Sequence, residues 1–190
     1  MMRKLGIALA IITMTCSGVS LAQQPAAPAA PPPPPAPPCT ENCLSKEVQT
    51  NYARVKDNIV KSANKTPEED YSFKPTPEIR SFARVLNHVT EAQFRICGTI
   101  SGAKVDSLIT PPETADKATI VAALNASFAE CDKAYAGTTD ANMTEVFTAG
   151  PFKRSRLGLL WGNVAHDNEQ YAELATYMRL KGQVPPSSEK

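Results

Sequence analysis

Two imidazoles and one carboxamide are the residues whose types and spacing suggest chemistry: His88, His166 and Gln170. His88 and His166 are the only histidines among the 190 residues, and Gln170 follows His166 by one helical turn. Leu157 to Lys181 is an amphipathic run with apolar residues at Leu157, Leu160, Trp161, Val164, Tyr171, Leu174 and Met178, the spacing of a helix that buries one side. At about 100° per residue, His166 and Gln170 share one edge of that helix, roughly 100° from the middle of the apolar stripe. His88 lies roughly 120° from the middle of the stripe on an earlier helix. Such flank positions suit a ligand in a crevice between helices, and equally a half-exposed surface histidine. No nucleophile with an attached base is evident, and no Ser-His arrangement is indicated.

The elements that must position these residues follow from the rest of the chain. Ser45 to Ala63 reads as a first helix, capped by Ser45, with Val48, Tyr52, Val55, Ile59 and Val60 inward. Asn64 to Pro75 breaks regularity, and Tyr71 and Phe73 tuck that loop onto the bundle. Thr76-Pro77-Glu78 has the features of a helix start: a hydroxyl cap, proline at the first helical position and an acid favoured by the dipole. The helix it predicts runs to Ser101, with Ile79, Phe82, Val85, Leu86, Val89, Phe94, Ile96 and Cys97 mostly inward. After a connector ending in Pro111-Pro112, a third helix from Asp116 to Ala136 presents Ile120, Val121, Leu124, Phe128 and Cys131. Asp140 to Gly150 is ambiguous, with a short helical turn as one reading. The last helix is expected from Pro151-Phe152, with Trp161 in the core and Gly182 as a left-handed cap before Pro185-Pro186. Four amphipathic helices without an alternating strand or an internal repeat predict an all-α four-helix bundle.

Ahead of this domain, Arg3 and Lys4, the apolar Leu5 to Met14 and the small-x-small exit Ser20-Leu21-Ala22 read as a signal peptide over residues 1–22. The apolar part is too short to span a bilayer comfortably, and Thr13-Met14-Thr15 is a poor approach to a lipoprotein site at Cys16. Residues 23–38 hold nine of the 17 prolines and read as a stiff polyproline linker. Residues 39–190 make one domain, enough to bury a core. Removing Arg3 and Lys4 from 20 basic residues leaves 18 against 19 acidic, which argues against nucleic acid and against a polybasic membrane patch. The expected location is periplasmic or secreted, with no membrane span in the mature protein. Cys39, Cys43, Cys97 and Cys131 remain after cleavage, and of their three pairings Cys39–Cys43 with Cys97–Cys131 is favoured. A Cys-x-x-x-Cys without a nearby ligand partner is weak evidence for metal, and no haem attachment motif is present.

Two segments carry a family resemblance. They are YSFKPTPEIRSFARVLNHV, Tyr71 to Val89, and LLWGNVAHDNEQYAELATYMRLKGQVPPSS, Leu159 to Ser188. In them the chain resembles the DinB-like superfamily of metal-binding four-helix bundles, over roughly Ser45 to Ser188. The resemblance implies a divalent metal held by three histidines, one on the second helix and two a turn apart on the last. His88 and His166 match two of those positions, and Gln170 stands at the third. A carboxamide oxygen is a much weaker ligand than imidazole for zinc, nickel or iron, so the expected site is a weakened one. Asp167, Glu169 and Glu173 offer no obvious substitute, although Asp167 lies close to the apolar stripe. Arg84, Arg95 and Tyr177 are candidates for the crevice wall. Some relatives are thiol-dependent transferases, so the resemblance implies transfer or hydrolysis on a small molecule of unknown identity. The alternative is a non-catalytic binding or structural bundle of the cell envelope that has lost its metal site. A homodimer is the one protein partner anticipated.

Overall fold

The structure is a computed structural model that describes residues 38–103 and 110–189. The expected signal peptide at 1–22 and nearly all of the linker at 23–38 therefore lie outside the described residues. Four helices dominate: α1 (Cys43–Lys65), α2 (Phe82–Ser101), α3 (Lys117–Ala136) and α4 (Arg156–Leu180). Their apolar stripes become one core. Val48, Tyr52, Val55 and Ile59 from α1 meet Phe82, Leu86 and Val89 from α2, Ile120, Leu124 and Phe128 from α3, and Leu160, Leu174 and Met178 from α4. Each helix packs on two others in the cycle α1–α4–α2–α3. The two helices that carry the histidines are therefore neighbours.

Contacts between helix ends set the directions. Cys97 is joined to Cys131 and Ser101 donates to Glu130, so α2 and α3 finish together and run parallel. Gln49 reaches the Tyr135 carbonyl while Lys117 reaches the carbonyls of Asn64 and Thr66, so α1 runs against α3. Tyr177, near the end of α4, donates to the carbonyl of Arg80 just before α2, so these two helices are antiparallel. The result is an up-down-down-up bundle. Both expected disulfides are present, with Cα atoms 5.6 Å apart for Cys39–Cys43 and 5.0 Å for Cys97–Cys131.

Four local expectations are corrected. α2 begins at Phe82, not after Thr76, and Ile79 is exposed outside it. Ser81 is the cap, with its Oγ accepting from the Arg84 amide at 3.1 Å. The amides of Phe82 and Ala83 donate to the carbonyls of Phe73 and Tyr71, so tertiary partners replace those an earlier helix start would supply. Residues 146–155 form a hairpin, Val146–Ala149 (β1) with Phe152–Ser155 (β2), and α4 starts only at Arg156. Gly150, at φ 59°, opens the two-residue turn that joins the strands, a backbone that only glycine adopts freely. Trp161 is not in the core but 36% exposed.

The fourth correction concerns the start of α1. Its cap is Asn42, not Ser45, in a left-handed backbone with no side-chain capping bond. Asp140, distant in sequence, takes over: its carboxylate accepts from the amides of Ser45 at 2.8 Å and Leu44 at 3.3 Å. Those bonds hold the Asp140 carboxyl below the usual carboxylate range. A depressed folded pKa means stability that is present above the unfolded value, about 3.9, and lost as pH falls through the folded one. Asp140→Asn is thus expected to lower the thermal midpoint at pH 7, with the gap to wild type closing towards pH 3. A gap that stays constant between those pH values would refute this role.

Candidate functional site

α2 and α4 bring the two histidines together. Nε2 of His166 lies 3.1 Å from Nε2 of His88, with the rings tilted by 62° and their centroids 4.9 Å apart. Both side chains are mostly buried, 24% exposed for His88 and 20% for His166. The crossing of two antiparallel helices achieves this, because each histidine sits on the flank of its stripe that faces the other helix.

The surroundings of the two rings differ. Along α2, His88 is flanked one turn away by Arg84 and Glu91. Those two form a two-pronged ion pair, with Nη1 to Oε1 at 3.0 Å and Nη2 to Oε2 at 3.1 Å. Nδ1 of His88 is 3.8 Å from the same Glu91 Oε2. Burial, then the Arg80 guanidinium, His166 and Arg84, hold the His88 imidazole below its ordinary pKa, with Glu91 opposing them. His88 is therefore a neutral imidazole near pH 7, the form that offers a lone pair. On the other side, Nδ1 of His166 faces Asp167 Oδ1 at 3.5 Å, and Asp167 is fully buried.

Gln170 is close to fully buried, and its Oε1 accepts from Arg80 Nη1 at 3.4 Å. That carboxamide oxygen is engaged by a cation. Of the suggested wall residues, Arg84 stands beside His88 through its pair with Glu91, whereas Tyr177 bonds the Arg80 carbonyl and packs with Phe73 at the start of α2. Arg95 is exposed and makes no side-chain bond there. Arg80 and Glu91 escaped the sequence reading: Arg80 precedes the helix and gives no periodic signal, and Glu91 resembles any surface acid. Asp167 did carry a signal. It occupies the register of Leu160, Val164, Tyr171 and Leu174, so a carboxylate falls at a core position.

Does this donor set suit a divalent metal? Zinc–imidazole bonds of about 2.0–2.1 Å at a tetrahedral angle place two ligand atoms roughly 3.3 Å apart. The observed 3.1 Å is close to that. Metal-bound imidazoles also direct their second nitrogen at a carboxylate or carbonyl; His166 has Asp167 at 3.5 Å, whereas the Glu91 oxygen 3.8 Å from His88 is held by Arg84. Against this, among the described residues no three His, Cys, Asp or Glu side chains converge as a metal-holding group. The residues fit an ion held by two imidazoles with the rest of its coordination open.

A family model described as the DinB superfamily matches residues 51–174, which spans all or part of each helix. The chain belongs to the DinB superfamily. Among solved structures, it is similar to a DinB-like protein from Bacillus cereus ATCC 10987, at 16% identity and TM-score 0.61, covering 74% of this chain and 95% of that one. A DinB-like protein from Bacillus subtilis is similar at 16% identity and TM-score 0.59, covering 76% and 99%. At such identity the likeness speaks for the fold alone, and it agrees with the all-α bundle expected from the sequence. No curated protein matches the sequence. Among the described residues, no helix is long and apolar enough to cross a membrane.

Proposed function

We propose that this DinB-superfamily protein is exported and binds a divalent metal, zinc, nickel or iron, through His88 and His166, with Gln170 at the third position. A small molecule would undergo transfer or hydrolysis there. The observation that carries this reading is the approach of two neutral-capable imidazole nitrogens, from separate helices, to 3.1 Å. When bound, such an ion polarises a carbonyl or phosphoryl oxygen, or lowers the pKa of a bound water or thiol. His88 and His166 would hold it, and Arg80 would stand ready for an anionic group beside it. Export is supported by the composition of residues 1–22 and by two disulfides, which persist in oxidising compartments.

One observation favours a second reading, a non-catalytic envelope bundle: the oxygen of Gln170 is engaged by Arg80. Calorimetric titration with zinc and nickel separates the two. We expect the native protein to bind one ion weakly, the Gln170→His variant at least tenfold more tightly, and the His88→Ala variant not at all. Binding by Gln170→His alone would favour the second reading, and no binding by either would remove the metal from this site.

A further inference from the structure

The group least explained by packing is Asp167. It is a carboxylate with no exposure, on a helix flanked by the apolar Leu160, Val164, Tyr171 and Leu174. Burying a charged or polar oxygen without a partner is costly, so an orphan in such a place needs a reason. Oδ2 of Asp167 has one, since it accepts from Asn163 Nδ2 at 3.2 Å. Asn163 in turn donates to the Tyr135 hydroxyl at 3.3 Å, and that hydroxyl donates to the Leu160 carbonyl at 2.8 Å. Oδ1 has no hydrogen-bond partner of this kind, and neither does Nδ1 of His166. These two unsatisfied atoms face each other at 3.5 Å.

We propose that Asp167 is the positioning residue of the histidine site: its buried carboxylate holds the proton of His166 on Nδ1, so the Nε2 lone pair points at His88. This deepens the metal reading above, but its first test needs no metal. Burial pushes the Asp167 carboxyl above its ordinary range, with His166 and Asn163 opposing that by favouring the charged form. In that charged form it only accepts, so the nitrogen facing it is the one that carries hydrogen. With Nδ1 protonated, Nε2 of neutral His166 is an acceptor. The Nε2···Nε2 approach at 3.1 Å then requires His88 to donate from its own Nε2. Glu91 does not compete for the opposite tautomer of His88. Both of its oxygens are already taken by Arg84, and its nearer oxygen is 3.8 Å from His88 Nδ1. The two rings therefore hold opposite tautomers, and the asymmetry is set by one buried side chain.

Asp167→Asn tests this with Asn163 donating, as it does now, from Nδ2 to the Tyr135 hydroxyl and to position 167. In that orientation the Asn163 Nδ2 donor pairs with an oxygen at the Oδ2 position. That leaves the introduced NH2 facing Nδ1 of His166, where only a lone pair can accept it. The variant should thus move the His166 proton to Nε2.

Long-range proton–nitrogen correlation NMR on chelator-treated protein at a pH where both rings are neutral reads each tautomer directly. We expect Nδ1–H on His166 and Nε2–H on His88 in the wild type, and Nε2–H on His166 in Asp167→Asn. An Nε2–H tautomer on His166 of the wild type would overturn the proposal, even if the variant does not fold. So would an unchanged tautomer in a folded variant. Zinc titration is a separate arm, in which Asp167→Asn should weaken binding by about 10- to 100-fold, the usual effect of losing such a partner. Should wild type bind no zinc while the tautomers are as described, the metal reading falls and the positioning role of Asp167 stands.

Discussion

Phe82→Ala is expected to cost about 3–5 kcal/mol of folding stability, the range for deleting a buried phenyl ring. Phe82 is 1% exposed and opens α2, with its ring centroid 5.3 Å from that of Tyr71. It closes the space between Thr66, Phe73, Tyr177 and Met178 where the α1–α2 loop meets the end of α4. Its amide bond to Phe73 and that of Ala83 to Tyr71 tie the loop to the start of the helix. An alanine would leave a cavity that the surrounding backbone cannot fill without releasing those bonds, so little relaxation is available. His88 stands less than two turns further along α2, and the register of that helix depends on this end. Urea unfolding of Phe82→Ala beside Phe82→Leu measures the effect, with leucine recovering most of the loss. A cost below about 1 kcal/mol for the alanine would mean that the ring does not anchor α2.

Removing the Cys97–Cys131 bridge should be nearly as damaging. Both cysteines are fully buried, and the bond spans 34 residues of sequence. Closing a loop of that size restricts the unfolded chain by roughly 3–4 kcal/mol. Replacing both cysteines by alanine keeps the site apolar, so the measured loss reports the cross-link rather than a buried hydroxyl. For a domain of this size each kcal/mol moves the thermal midpoint by roughly 2–4 °C, so a fall near 10 °C is expected. The Cys39–Cys43 bridge closes a far shorter loop at the start of α1, where Cys39 is exposed, and its removal should matter much less. Equal midpoints for the double variant and wild type would show that α2 and α3 hold their parallel alignment without the bond.

Much of the bundle was legible because burial follows helical period. Val48, Tyr52, Val55 and Ile59 repeat at three and four, and nothing about α1 required knowledge of its partners. The end of α4 was legible too, with Gly182 at φ 73° after the last turn. What escaped were features determined by distant residues. Asp140 caps a helix almost a hundred positions earlier, and Phe73 and Tyr71 draw the amides that open α2. The hairpin went unread because neither short strand buries a residue and the residue types of Val146–Ala149 and Phe152–Ser155 do not alternate apolar with polar, although Gly150-Pro151 between two short β-prone runs was a usable turn signal. The site divides the same way. The two histidines and Gln170 stood out by residue type, whereas Arg80 and Glu91 act through proximity that only the fold creates. Trp161 was misplaced because a large apolar ring at the edge of a stripe can end on either side of the surface.

The up-down-down-up order has a consequence for how the chain assembles during synthesis. α1 rests on both α3 and α4, its parallel neighbour, so the first helix made is fully sheltered only when the last one arrives. α2 and α3 have each other in the meantime, and their cross-link can form in the oxidising compartment before α4 docks. Arrival of α4 then completes the hydrophobic interior and delivers His166 to His88 in a single docking event. A molecule with an imperfect interior would also lack a formed histidine pair, so any ligand of that pair would select fully assembled copies.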